Sequence, residues 1–232
     1  MKRKKIVALT GAGISAESGI ATFRDSDGLW ERYSVEEVAS ADGYRRNPQL
    51  VIDFANDRRE QCLKAQPNEG HLLLAKLEED YDVTVITQNI DDLHERAGSS
   101  HIIHLHGELM KCCSERDLST PLPLPEGRLR MTLEDKAEDG SQLRPFIVYF
   151  GEPVPRMEDA IAEAVQADIF LIVGTSLNVY PAAGLVRFVP RSTPVFIIDP
   201  KEVPGSNQFE HIRMGAGKGM AELMKRLRNE QQ

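Results

Sequence analysis

The 232-residue chain is long enough to bury a sizeable core, as one large domain or as a domain with a smaller module. A net charge of -8 argues against a dedicated nucleic-acid binder, which needs a clustered basic surface to neutralise phosphates. No apolar stretch approaches the ~20 residues that cross a bilayer, and three cysteines without framework spacing fit reduced thiols in a cytoplasmic protein.

Lys2, Arg3, Lys4 and Lys5 read as a solvated flank leading into the apolar run 6–9. That run, with 83–87, 169–173 and 195–198, has the β-branched character of strands buried on both faces. Between them, 68–77 opens after Pro67 and places His71, Leu72 and Ala75 at helical spacing. Residues 156–167 do the same with Ile161, Ala164 and Val165, and 219–227 closes the chain as an amphipathic helix. Strands alternating with helices predict an α/β fold with a doubly wound parallel sheet. Two regions break the rhythm. Residues 25–65 are polar and helical in pieces, with Pro48 as a helix start. Residues 112–143 carry Pro121, Pro123 and Pro125, spaced to resist regular structure. Together these two regions predict a smaller module inserted beside the sheet.

Five segments bear chemistry. Gly11 and Gly13 follow the first strand and precede a helix start at Ser15 or Ala16, which suits a pyrophosphate or marks only a tight turn. Phe23 and Arg24 follow closely, as a loop over a ligand or as ordinary core and surface residues. Gln88, Asn89 and Asp91 sit just beyond the strand at 83–87, where polar groups face ligands in open α/β sheets or cap the next helix. In the run 101–107, His104 and His106 share one face of an extended segment. A single general base is the better reading, because no cysteine or carboxylate pair supports a metal; hydrogen-bonded strand-edge histidines remain open for His101 and His104. Gly174, Thr175 and Ser176 follow the strand at 169–173, and Asp199 follows the one at 195–198, positions that line nucleotide pockets or make turns.

In chain order, GAGIS (11–15), TFRD (22–25), GLW (28–30), TQNIDDLHERAG (87–98), HLHGEL (104–109), RPFIVYFGE (144–152) and GTSLNVYPAAG (174–184) resemble the sirtuin family of NAD-dependent protein deacylases. The resemblance implies a discontinuous NAD-binding Rossmann-like domain over 1–30, 66–110 and 144–232, with a small domain from 31–65 and 111–143. It implies that Gly11, Ala12, Gly13 and Ser15 cradle the pyrophosphate, with Phe23 and Arg24 in the cofactor loop. Asn89 and Asp91 would hold the nicotinamide ribose and carboxamide, with Gln88 also binding the cofactor; Gly174, Thr175, Ser176, Asp199 and Gly217 would surround the adenosine half. An acyl-lysine peptide would add a strand between 148–152 (Val148, Phe150, Gly151, Glu152) and 178–180 (Asn178, Val179, Tyr180). In the family, the acyl oxygen attacks the ribose as nicotinamide leaves; His106, with Asn89 as the other catalytic residue, would then act as base on a ribose hydroxyl. Products would be free lysine, nicotinamide and an O-acyl-ADP-ribose.

This sequence departs from the family twice. Members usually bind zinc through two Cys-x-x-Cys pairs; here only Cys112 and Cys113 occupy the stretch, which predicts no zinc and a shortened hydrophobic substitute or a mobile region. Members that remove succinyl or malonyl groups carry Tyr-x-x-Arg, and that pair falls on Ala55 and Arg58. The arginine favours an acidic acyl group, with acetyl as the alternative and a surface position beside Arg59 and Glu60 as the plain reading. ADP-ribosyl transfer, NAD hydrolysis and a non-catalytic NAD sensor share the same cofactor site, so they stay open.

Overall fold

Alternation along the first strand sends Ile6 and Ala8 to one face and Val7 and Leu9 to the other, and both faces are covered. The computed structural model describes residues 3–20, 33–125, 128–203 and 206–229. Its strands are β1 (Lys5–Thr10), β2 (Asp82–Thr87), β3 (Ile102–His104), β4 (Gly107–Ser114), β5 (Asp117–Pro123), β6 (Leu143–Ile147), β7 (Ile169–Val173), β8 (Val195–Ile198) and β9 (Glu210–Ile212). Six of them form one parallel sheet in the order β3-β2-β1-β7-β8-β9. One face packs on the helices Glu69–Lys76 and Ala216–Asn229, the second burying Met220, Leu223 and Leu227. The other packs on Met157–Ala164, through Ala160 and Ala164, and on the turn Ala182–Phe188.

The order reverses between β1 and β7. A parallel sheet opens a crevice where its connections diverge to opposite sides, at the carboxyl ends of those strands. Gly11 ends β1 and Gly174 ends β7, so the glycine segments from both halves of the sequence meet there.

The inserted module pairs helices with an antiparallel sheet, order β5-β4-β6. Helix Pro48–Lys64 starts as its sequence predicts, with proline in the first turn and Asn47 accepting from the Leu50 N–H at 3.1 Å. The proline-rich stretch nevertheless forms β5, an edge strand. Prolines two apart put their missing N–H groups on one side, and an edge strand can turn that side to solvent. Strands β4 and β6 extend across the 110/111 and 143/144 boundaries, because the segment leading from His106 continues directly into the second sheet. The core here is Tyr44, Val51, Ile52, Cys112, Met131, Leu143 and Tyr149. A second apolar cluster, including Ile20, Ala55, Cys62, Leu93 and Leu109, joins the module to the main sheet. Among the described residues, no helix is long and apolar enough to cross a membrane.

Candidate active site

Close backbone approach builds the floor of the crevice. The Gly11 N–H donates to Val173 O at 3.0 Å, and the Gly13 N–H to Gly174 O at 2.8 Å. A Cβ on Gly13 would lie 2.7 Å from Gly174 Cα, and one on Gly174 (φ +64) would lie 2.2 Å from Ile14 N, so these two loops touch only as glycine. Above the floor lies a cleft of about 550 Å³. Gly11, Ala12, Gly13, Ser15, Gln88, Asn89, Asp91, His106, Gly174, Thr175, Ser176 and Asp199 line it, as do Ala55, Arg58, Val148, Phe150, Gly151, Glu152, Val179 and Tyr180. Asn178 and Gly217 lie outside the lining; Gly217 N–H donates to Glu17 Oε2 at 3.4 Å, while Glu17 and Gly215 face the cleft. Phe23 and Arg24 fall outside the described residues.

The polar wall is one buried hydrogen-bond network. Asn89 donates from Nδ2 to Gly11 O (3.2 Å) and Ser15 Oγ (3.0 Å), and its N–H donates to Thr87 Oγ1 (3.0 Å). The Ser15 hydroxyl donates to Asp91 Oδ2 at 3.0 Å. Burial pushes the Asp91 carboxyl up, against hydrogen bonds from the Leu93 N–H and Ser15. Gln88 donates to Thr175 Oγ1 at 3.0 Å, tying the two strand ends together. Asp199 is buried and accepts from the Lys201 N–H at 2.9 Å.

His106 Nδ1 lies 3.0 Å from Gln88 O. A carbonyl only accepts, so Nδ1 carries the proton and Nε2 keeps its lone pair, with no partner among the described residues. Burial lowers the pKa of this imidazole and the Gln88 carbonyl only partly offsets it, so the ring is neutral at pH 7. That is the protonation state of a general base.

The sequence placed His71 only as a helix residue and Asn68 only as the start of that helix. The Asn68 N–H donates to His71 Nδ1 (3.3 Å), and His71 Nε2 then donates to Ser15 Oγ (3.4 Å), extending the network behind the cleft. Asparagine capping a helix three residues before histidine was the available signal. Burial depresses His71 to about 4. Unfolded histidine titrates near 6.5, so the unfolded chain takes a proton that the folded chain refuses. Stability is therefore present above about pH 6.5 and lost as pH falls towards 4, on the order of 3 kcal/mol from this group. Urea unfolding at several pH values should show the decline, and His71→Gln should flatten it. Equal slopes in the two proteins would remove His71 as the cause.

On the module side, the Glu152 carboxylate is held by Arg144 (2.6 and 3.0 Å) and the Tyr149 N–H (2.8 Å). The Arg144 guanidinium stacks 4.2 Å from the Tyr149 ring, so Glu152 shapes the cleft wall. Phe150 already pairs by backbone with Ala39 and Ala41, while its side chain, with Val179 and Tyr180, forms an exposed apolar rim. Arg58 is buried, lines the cleft beside Ala55 and Cys62, and bonds Gln61 Oε1 at 3.3 Å. The surface reading therefore fails for Arg58, and its neighbour Arg59 is fully buried. His101 does sit at a strand edge, bonded to Thr84 Oγ1 at 3.2 Å.

A cleft at the switch point of a parallel sheet, walled by an inserted module and furnished with a neutral imidazole, defines a dinucleotide-dependent α/β enzyme. The chain belongs to the Sir2 family, whose sequence pattern matches residues 11–181. It is 58% identical over 225 residues to an NAD-dependent protein deacylase of Bacteroides thetaiotaomicron, covering 95% of this chain and 96% of the relative. It is 54% identical over 198 residues to one of Helicobacter pylori, covering 85% of each. A Sir2 homologue–NAD complex superposes with a TM-score of 0.87 at 40% identity, covering 98% of this chain and 91% of the other. A Sir2–p53 peptide–NAD+ complex does so at 0.79 and 33%, covering 97% and 93%.

Proposed function

We propose that the protein is an NAD-dependent protein-lysine deacylase, releasing nicotinamide and forming an O-acyl-ADP-ribose. One observation carries this reading: His106 stands in the cleft as a neutral base, its Nδ1 proton fixed on Gln88 O and its Nε2 without a partner among the described residues. The glycine floor and the buried amide and carboxylate of Asn89 and Asp91 suit a dinucleotide. Bound NAD supplies a sugar carbon activated by its leaving nicotinamide. Gly11, Ala12, Gly13 and Ser15 would hold the pyrophosphate. Gln88, Asn89 and Asp91 hold the nicotinamide half; Gly174, Thr175, Ser176 and Asp199 hold the adenosine half, with Gly217 acting through Glu17. His106 Nε2 takes the proton of a sugar hydroxyl. The acyl-lysine chain lies along Val148, Phe150, Gly151 and Glu152 opposite Asn178, Val179 and Tyr180, covering the exposed apolar rim.

The small module folds without zinc in this proposal. Cys112 donates to Pro123 O at 3.0 Å, and burial pushes the Cys113 thiol up to about 12, so neither is poised as a thiolate ligand. Buried reduced thiols at all three cysteines suit a cytoplasmic protein. Arg58, buried beside the small Ala55, makes the acyl pocket a receptor for acidic acyl groups such as succinyl or malonyl.

Mass-spectrometric product analysis with NAD and acetyl-, malonyl- and succinyl-lysine peptides tests both statements. Acyl-ADP-ribose should form only when an acyl peptide is present; nicotinamide release without peptide would make the protein an NAD hydrolase. Arg58→Met should lower kcat/KM for succinyl-lysine roughly tenfold or more and leave acetyl-lysine within about threefold, the value of one charge-assisted hydrogen bond. Acetyl-lysine turned over as well as succinyl-lysine by the parent protein would defeat the acidic-acyl preference.

A further inference from the structure

The segment that delivers His106 delivers a second imidazole, two residues earlier, to the neighbouring carbonyl of the same loop. His106 Nδ1 meets Gln88 O, and His104 Nδ1 meets Asn89 O at 3.2 Å. The two rings differ at Nε2. That of His106 has no partner among the described residues, whereas that of His104 lies 2.7 Å from Glu95 Oε1. Both acceptors of His104 are oxygens that cannot donate, since a peptide carbonyl and an ionised carboxylate carry no proton. A neutral ring has one N–H and satisfies only one of them. The ring is 9% exposed, so solvent does not stand in for the other.

We propose that His104, held as an imidazolium between Glu95 and the Asn89 carbonyl, is a positioning residue that sets the alkaline limit of the reaction. Asn89 spans three elements: its side chain bonds Gly11 O and Ser15 Oγ, its N–H bonds Thr87, and its carbonyl rests on His104. When the ring loses a proton, the remaining one stays with the shorter, charged Glu95 contact, and the Asn89 carbonyl is released. The carboxamide of Asn89 then loses one of the supports that orient it over the cleft.

The charged groups facing His104 agree with this assignment. Burial works against its charge, but Glu95, then Glu108 and the Asn89 carbonyl, together hold its proton above the ordinary histidine range. Glu95 comes from the helix Leu93–Ala97, and Glu108 from β4, where it pairs with Lys111 at 2.9 Å. Burial raises Asp91, in the loop after β2, and the charge of His104 opposes that rise; burial lowers the buried His94, with His71 and then His104 adding to it.

Only the activity arm of the test rests on the deacylase reading. In Glu95→Gln, imidazole ¹⁵N shifts of His104 should titrate about one pH unit lower than in the parent. The alkaline limb of kcat with an acyl peptide should move down by the same amount, with kcat at pH 6 within about twofold of the parent. His104→Gln, whose amide NH2 can still donate to the Asn89 carbonyl and cannot titrate, should lose that limb altogether. A parent ring already neutral at pH 7, or a Glu95→Gln profile lowered equally at every pH, overturns the proposal. A parent protein that makes no acyl-ADP-ribose overturns the deacylase reading instead, and the ring titration is read independently of it.

Discussion

His106→Ala is expected to lower kcat/KM for acyl-peptide by 10² to 10⁴-fold, about the contribution of a positioned general base. NAD binding should stay within a few-fold of the parent, because the glycine floor, Asn89, Asp91 and Asp199 are untouched. Burial lowers the base's pKa, so the acid limb of the parent kcat/KM profile should have its midpoint below pH 6.5 and disappear in the variant. Calorimetric titration with NAD, beside a peptide deacylation assay from pH 5 to 8, measures both. Unchanged turnover in the variant would mean that another group removes the proton.

Arg59→Ala should be the most destabilising single change in the small module. Its guanidinium is fully buried and donates to Leu109 O (2.7 Å), Asn56 Oδ1 (2.7 Å) and Met131 Sδ (3.2 Å), with no carboxylate partner among the described residues. Burial drops its pKa to about 10. These bonds tie the helix Pro48–Lys64 to β4 and to the Met131 segment. Truncation leaves a cavity and an unsatisfied carbonyl, costing about 3 kcal/mol. For a chain of this size that is roughly 6–12 °C in Tm. Arg59→Met keeps the volume and removes the charge, so it should cost clearly less. Thermal unfolding of the three proteins decides it; an alanine variant within about 1 kcal/mol of the parent would show that Arg59 is not what holds the module.

The glycine turns, the polar group after β2 and the second glycine turn after β7 were all legible in sequence, because each follows a β-branched run. In a parallel sheet the end of such a strand is where ligand-facing loops begin. The alternation of His104 and His106 likewise placed both rings on one face before any coordinates. Other features were not legible. The prolines at 121 and 123 read as breakers because the sequence does not say that β5 would be an edge strand. Arg58 and Arg59 are adjacent identical residues, yet one lines the cleft while the other braces β4 and Met131. Helical phase relative to the rest of the protein separates them, and phase has meaning only once the helix has docked.

The order of elements and the strand-end turns were set by local pattern, since periodicity and turn chemistry act over a few residues. The roles of His71, His104 and Glu95 were decided only in three dimensions. A histidine's charge depends on what its two nitrogens meet, and those partners lie from 3 to 56 residues away along the chain. Burial and hydrogen bonding lower His106 and His71 and raise His104, a distinction the letter H does not carry.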